Sequence, residues 1–362
     1  MTPRQRILSV LKGELPDQVP FTIKTPNPPR GQLERQLRNK GLALCTDRMV
    51  FTTRRPNVEV YQHEFVRDGR ELVKETFRTP VGQVSQTWAL GGGYGSKRLL
   101  EHLIKQPSDY ATVEFMIRDE VYRAHHDEFL REVELIGEDG FVFAGWMPPS
   151  PMVVMMWQYL GPERFSLHMV DYPEQFFSLY ECLRQRQREQ YGLCAQSPAL
   201  VIHSEENLTA DMIGLERFVK YCIPCYKEFA ACLHESGKLF ATHMDGRMKI
   251  LAAALAESDI DIIEAFCPVP DGDLELSVAR QLWTDKILWL NFPSPVHLRP
   301  PQQIAEQTRR ILHDVTPGER FLLGITEDIP YGAWQVSLPI IAEIISKEGA
   351  LPLTHSDGEH DS

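Results

Sequence analysis

The chain has 362 residues and a mass of 41.5 kDa, with 43% hydrophobic and 24% charged residues, enough to bury a large core. Its formal charge of −12 has no compensating basic stretch, which excludes the broad footprint of a nucleic-acid binder and argues against a polyanionic substrate. Seven scattered cysteines do not make a secreted disulfide framework, and no apolar run approaches the roughly 20 residues of a bilayer span, so a cytoplasmic protein without membrane contact is expected.

The opening "MTPRQRILSVLKGELPDQVPFTIKT" predicts a helix, a turn and a first strand. The stretch "VEVYQHEFVRDGRELVKETFRTPVGQVSQTWAL" alternates polar and apolar residues around "RDGR", a hairpin signal, and places a β insertion at about residues 58–90. The glycine-rich "GGGYG" at 91–95 is followed by no Lys-Ser/Thr, so it is no phosphate loop. A further strand opens "FVFAGWMPPSPMVVMMWQYLG", ahead of a Pro-rich loop and a Met-rich run.

From about residue 200 the pattern becomes regular. "ALVIHSEEN", "GKLFATHMDG", "IDIIEAFCP", "KILWLNFP" and "RFLLGITEDIP" read as strands bounded by turn residues. Between them "LERFVKYCIPCYKEFAACLHESG", ended by Gly237, and "GRMKILAAALAES" read as helices. The "CIPC" within the first is no redox motif, because it lies in a helical pattern without a preceding strand. Apolar strands separated by helices specify a parallel sheet covered on both faces, and five in succession point to an α/β fold, the (β/α)8 TIM barrel. Residues 1–352 are expected to form this unit and 353–362 an acidic, disordered tail.

In such a barrel the chemistry gathers at the C-terminal ends of the strands. His243 and Asp245 end one strand and, two residues apart, share a side of an extended chain. Glu264 and Cys267 end the next, Asn291 the one after, and Glu327 with Asp328 the last. Imidazole, thiolate and carboxylate are the ligand types of zinc, whose catalytic sites use three protein ligands and one open position. Each residue also has a structural reading: His243 as a hydrogen-bonded strand end, Cys267 as a core filler, Asp245 as the cap of a helix near Arg247, Glu264 as a contact to a ligand. Trp146, Met147, Met156 and Trp157 suit an apolar pocket or the core.

Taken together, "RQRILSVLKGELPDQVP", "TPVGQ", "GKLFATHMDG", "DIIEAFCPVPDGDL" and "GITEDIP" resemble the uroporphyrinogen decarboxylase-like superfamily, over residues 3 to 348. The resemblance implies a (β/α)8 barrel and one of two chemistries. Decarboxylases of the family carry an Arg-rich segment after the first strand, where "KTPNPPRGQLERQLRNKG" offers only Lys24 and Arg30 near the strand end, and a C-terminal "GHG"-like segment, here "GITEDIP". The other branch contains zinc-dependent methyltransferases that serve a corrinoid held by a partner protein. Their His-x-Cys is matched here only at His243, but the members that demethylate methoxylated aromatics use looser mixtures of Glu, Asp, His and Cys.

The resemblance to that branch therefore implies zinc on His243, Cys267 and Glu327, with Asp245 and Glu264 as catalytic or supporting groups. Lys24, Trp146 and Asn291 would contact a small methylated, methoxylated substrate, and a separate corrinoid protein would be the partner. Two alternatives stay open. One is a metal-free decarboxylase or lyase with Asp245 or Glu264 as acid/base and Lys24 or Arg30 holding a carboxylate; the other is a non-catalytic corrinoid or tetrapyrrole binder.

Overall fold

Short strands that are buried along nearly their whole length must be covered on both faces at once, and a closed ring of them surrounded by helices does this. The computed structural model describes residues 1–91, 97–330 and 332–354. Among the described residues the strands in chain order are β1 (Phe21–Lys24), β2 (Leu42–Arg48), β3 (Phe51–Arg54), β4 (Glu59–Arg67), β5 (Arg70–Thr79), β6 (Gly82–Ala89) and β7 (Arg98–Glu101). They continue with β8 (Val121–Ala124), β9 (Gly140–Met147), β10 (Val201–Ser204), β11 (Leu239–His243), β12 (Ile262–Phe266), β13 (Ile287–Asn291) and β14 (Phe321–Ile325). The parallel strands β1, β2, β9, β10, β11, β12, β13 and β14 run around the ring in chain order and close β14 onto β1. This is the expected (β/α)8 barrel.

The barrel interior is a distinct buried cluster of Ala43, Cys45, Phe141, Phe143, Val201, Ala241, Ile262, Ile287, Trp289 and Leu322. Ile7, Val10 and Leu11 of the first helix (Pro3–Leu11) join it and seal the N-terminal end. That helix starts with a capping box in which Thr2 accepts from Gln5 N–H and the Gln5 side chain accepts from Thr2 N–H. Inside, the Trp289 indole N–H donates to Thr22 Oγ1 at 2.8 Å. A larger core fills the space between the strands and the helices.

Between β3 and β8 the chain inserts an antiparallel sheet of order β4-β5-β6-β7. Its first turn is Asp68-Gly69, both at positive φ (52° and 72°), the conformation that closes a tight hairpin pairing Arg67 with Arg70. The sheet extends beyond residue 90 because β7 adds a fourth strand. Two segments depart from their predicted helices. Residues 215–234 are interrupted by a π turn at Phe218–Cys222 immediately before Pro224, which has no N–H to continue the regular ladder. In "GRMKILAAALAES" only Ala252–Ala256 is helical, since the Asp273 carboxylate takes the Met248 and Lys249 N–H groups at 2.8 and 3.0 Å and holds that stretch as turns. Residues 92–95 of "GGGYG" and 355–362 of the tail lie outside the described residues. Among the described residues no helix is long and apolar enough to cross a membrane.

His297, in the helical turn Ser294–Leu298 after β13, is buried against the Phe292 ring and its Nδ1 lies 2.8 Å from Ser337 Oγ. Burial lowers its pKa from 6.5 to about 4. Below 6.5 the unfolded chain takes up a proton that the folded chain refuses until about 4, so stability falls as pH is lowered through that window. The total loss is about 3 kcal/mol, at about 1.4 kcal/mol per unit. Urea unfolding between pH 7 and 4 is expected to show this slope, and His297→Gln to flatten it; an unchanged slope in the variant would assign the pH dependence elsewhere.

Candidate active site

Side chains alternate along each strand, so every second residue faces the barrel interior. Two neighbouring strands end in the same pattern: Val201-x-His203-x-Glu205 on β10 and Ala241-x-His243-x-Asp245 on β11. Apolar residues at the bottom give way to an imidazole and then a carboxylate at the mouth. Lys24 of β1, Asp47 of β2, Glu264 of β12, Asn291 of β13 and Glu327 after β14 complete the polar layer.

Glu264 lies at its centre and is 1% exposed. One oxygen, Oε2, lies 2.7 Å from His243 Nδ1 and 3.0 Å from His203 Nε2. Burial alone would raise the acid's pKa, but the two imidazoles hold it well below the usual carboxylate range. Conversely, Glu264 raises both histidines against the pull of their own burial. His203 turns its other nitrogen to Glu205 Oε1 at 3.5 Å, and His203 with Lys24 keeps the Glu205 carboxyl at about 2.

The His243 Nδ1–H donated to Glu264 leaves Nε2 facing the mouth, 3.3 Å from Glu327 Oε1 and 3.9 Å from Asp245 Oδ2. His243, Asp245 and Glu327 each offer one ligand atom within 4.8 Å of the others. A tetrahedral ion with ligands at about 2.1 Å needs donors about 3.4 Å apart, and the two separations from His243 Nε2, 3.3 and 3.9 Å, lie near that value. Glu327 Oε1 is buried without an aligned hydrogen bond, and desolvation with the nearby Asp245 and Glu264 charges pushes its carboxyl up to about 7. Such an unsatisfied, crowded carboxylate is a group that a cation would satisfy. His203, His243 and Glu264 also lie close enough together to share an ion, but there Glu264 Oε2 already accepts from the two imidazole N–H groups.

Several residues stand differently from the sequence expectation. Cys267 joins neither cluster: its thiol donates to Ala265 O at 3.3 Å, receives the Asn291 amide at 3.7 Å, and is pushed up in pKa by burial. Asn291 Oδ1 accepts the Thr326 and Glu327 backbone N–H groups at 3.0 and 3.3 Å, so it anchors the loop carrying Glu327. Lys24 is ion-paired to Asp47 at 3.1 Å and reaches Glu205 at 3.8 Å, while the exposed Arg30 is paired with the buried Glu34. Asp245 caps no helix, because none starts before Ala252. Trp146 is 61% exposed, donates to Asp47 Oδ1 at 2.6 Å, and with Met147, Trp157, Glu205 and Asn207 lines a cleft of about 280 Å³ at the mouth. Met156 is core. A larger cleft of about 570 Å³, bounded by Arg309, His313, Glu348 and Leu353, lies on the helical flank away from all of these groups.

Sequence reasoning missed His203 and Glu205. The signal was present in "VIHSE", which repeats the spacing of "ATHMD". Two strand irregularities also shape the mouth: Trp146 (φ 63°) and Ala265 (φ 60°) sit where β9 and β12 shift register against their neighbours. Such bulges re-aim side chains next to functional sites.

The sequence profile described as Uroporphyrinogen decarboxylase (URO-D) matches residues 106–339, well over half of the chain. The chain is a member of that enzyme family. Among solved structures, a methyltransferase from Methanosarcina mazei is similar at TM-score 0.57 and 12% identity over 95% of this chain and 99% of its own, which shows the shared fold. An L-Ala-D/L-Glu epimerase aligns over 81% of this chain and 90% of its own at 10% identity, with a TM-score of 0.22 that carries no argument. No curated protein matches the chain.

The two acids should respond oppositely to removal in metal-free protein. Glu264→Ala strips the shared acceptor from two buried imidazoles and is expected to lose about 3 kcal/mol. Glu327→Gln relieves a crowded carboxylate and is expected to be neutral or to gain up to about 1 kcal/mol at pH 8, the charge being partly solvated. Chemical denaturation of both variants decides; equal losses would mean that the Glu327 cluster is structural.

Proposed function

We propose that the chain, with residues 1–352 as one catalytic unit, is a zinc-dependent methyltransferase. It would move a methyl group from a small methoxylated substrate to a corrinoid carried by a separate protein. The observation that supports this most is the His243, Asp245 and Glu327 cluster, with Glu264 fixing the His243 ring from behind. A carboxylate-ligated zinc would supply Lewis acidity to the ether oxygen, helping the demethylated oxygen leave.

The chain's own groups do the rest. Glu264 fixes the His243 tautomer by accepting Nδ1–H, so that Nε2 stays a donor to the ion. Asn291 holds the Glu327 backbone in reach. Trp146, Met147 and Trp157 offer an apolar wall that would orient an aromatic ring and exclude water from the reacting oxygen. The methyl carbon would then point out of the mouth toward the partner's corrinoid. The M. mazei protein that shares this fold is a methyltransferase, which is consistent with this reading.

A metal-free decarboxylase reading has less support, because Lys24 is already taken by Asp47 and Glu205 and the mouth presents more carboxylates than cations. Zinc reconstitution followed by elemental analysis is expected to give about one ion per chain. His243→Ala and Glu327→Gln should reduce it at least tenfold, whereas Cys267→Ala should keep it. Methyl transfer from methoxylated aromatics to a corrinoid should follow the metal content. A wild type that stays metal-free, or His243→Ala that retains zinc, would end this assignment.

A further inference from the structure

The inserted sheet leaves a long strand edge open. Among the described residues β4 pairs only with β5, in unbroken register from Glu59 to Arg67, and eight of its nine residues are exposed. An outer strand of this length has an outward row of N–H and C=O groups ready to receive another strand, and here no proline or bulge blunts it.

The side chains of β4 are complementary to themselves. Read antiparallel about His63, the strand places Glu59 opposite Arg67, Val60 opposite Val66, Tyr61 opposite Phe65, and Gln62 opposite Glu64. Opposed positions have matching parity, so each pair projects from the same face. The ends are thus opposite charges and the interior apolar, aromatic or hydrogen-bonding pairs. Val60, Tyr61 and Val66 are 53%, 49% and 69% exposed, apolar surface that such pairing would cover. The ion pairs these charged ends make within the chain are long, Glu59 with Arg78 and Arg67 with Glu101 both at 3.9 Å, and Glu59 also accepts the Tyr61 hydroxyl at 2.7 Å.

We propose that β4 pairs antiparallel with β4 of a second copy of this chain, around a two-fold axis at His63, joining two four-stranded sheets into one of eight strands. A two-fold interface requires one surface to be its own complement, and the palindromic order of these nine residues meets that requirement. The partner is a second copy because the charge order that would attract it is written in the strand itself.

The test is sedimentation over a concentration range with a charge swap. Wild-type protein is expected to dimerise; Glu59→Arg and Arg67→Glu should each weaken the dimer roughly tenfold, since each places two like-charge pairs across the axis. The double variant should return to within about threefold of wild type. Under oxidation His63→Cys should give a covalent species of twice the 41.5 kDa chain mass, while Asp68→Cys, about 34 Å from its symmetry mate in this register, should not. A monomer at all concentrations, or a dimer indifferent to the charge swap with no His63→Cys cross-link, would overturn the proposal.

Discussion

Glu264 is a carboxylate taken out of water at the centre of a barrel, and a buried acid of this kind must be matched by cations or revert to its neutral form. Two imidazoles converging on one oxygen match it. They come from the two strands that precede β12 in the ring, and the β11–β12 register sets His243 beside Glu264. Ring closure therefore comes first and the charge arrangement follows from it. Once both N–H groups are committed inward, the remaining nitrogen of His243 has one direction left to face, and Asp245 and Glu327 meet it there.

This explains why a structural contact and a functional cluster share a residue. In the inner group Glu264 Oε2 accepts from both imidazoles; the outer one is left with carboxylates that repel one another. Stability gathers below and reactivity above, as in barrels generally, where the mouth carries the chemistry. Asn291 connects the two levels by holding the β14 loop through its backbone.

The barrel was legible in the sequence because strands buried on both faces have to be apolar throughout, and alternation with helices leaves few other ways to cover them. His243, Asp245, Glu264 and Glu327 were legible as polar interruptions at strand ends. His203 and Glu205 were equally visible in spacing but stood alone until the ring placed β10 beside β11. The ion pairs of Lys24 were not legible, because its partners, Asp47 and Glu205, are 23 and 181 residues away in sequence. Cys267 reaches the lumen side only because of a one-residue bulge, which places its thiol against the Asn291 amide, and nothing in "IIEAFC" announces that bulge.

That bulge at Ala265 has a consequence for room. In a regular strand Ile262, Glu264 and Phe266 would all face the lumen, and a phenyl ring would fill the space above Glu264. The extra residue turns Phe266 outward, where it packs edge-on against Trp283 in the outer core at 5.4 Å. One positive φ angle therefore exchanges an aromatic plug for the small Cys267 side chain beside Asn291 on the lumen side.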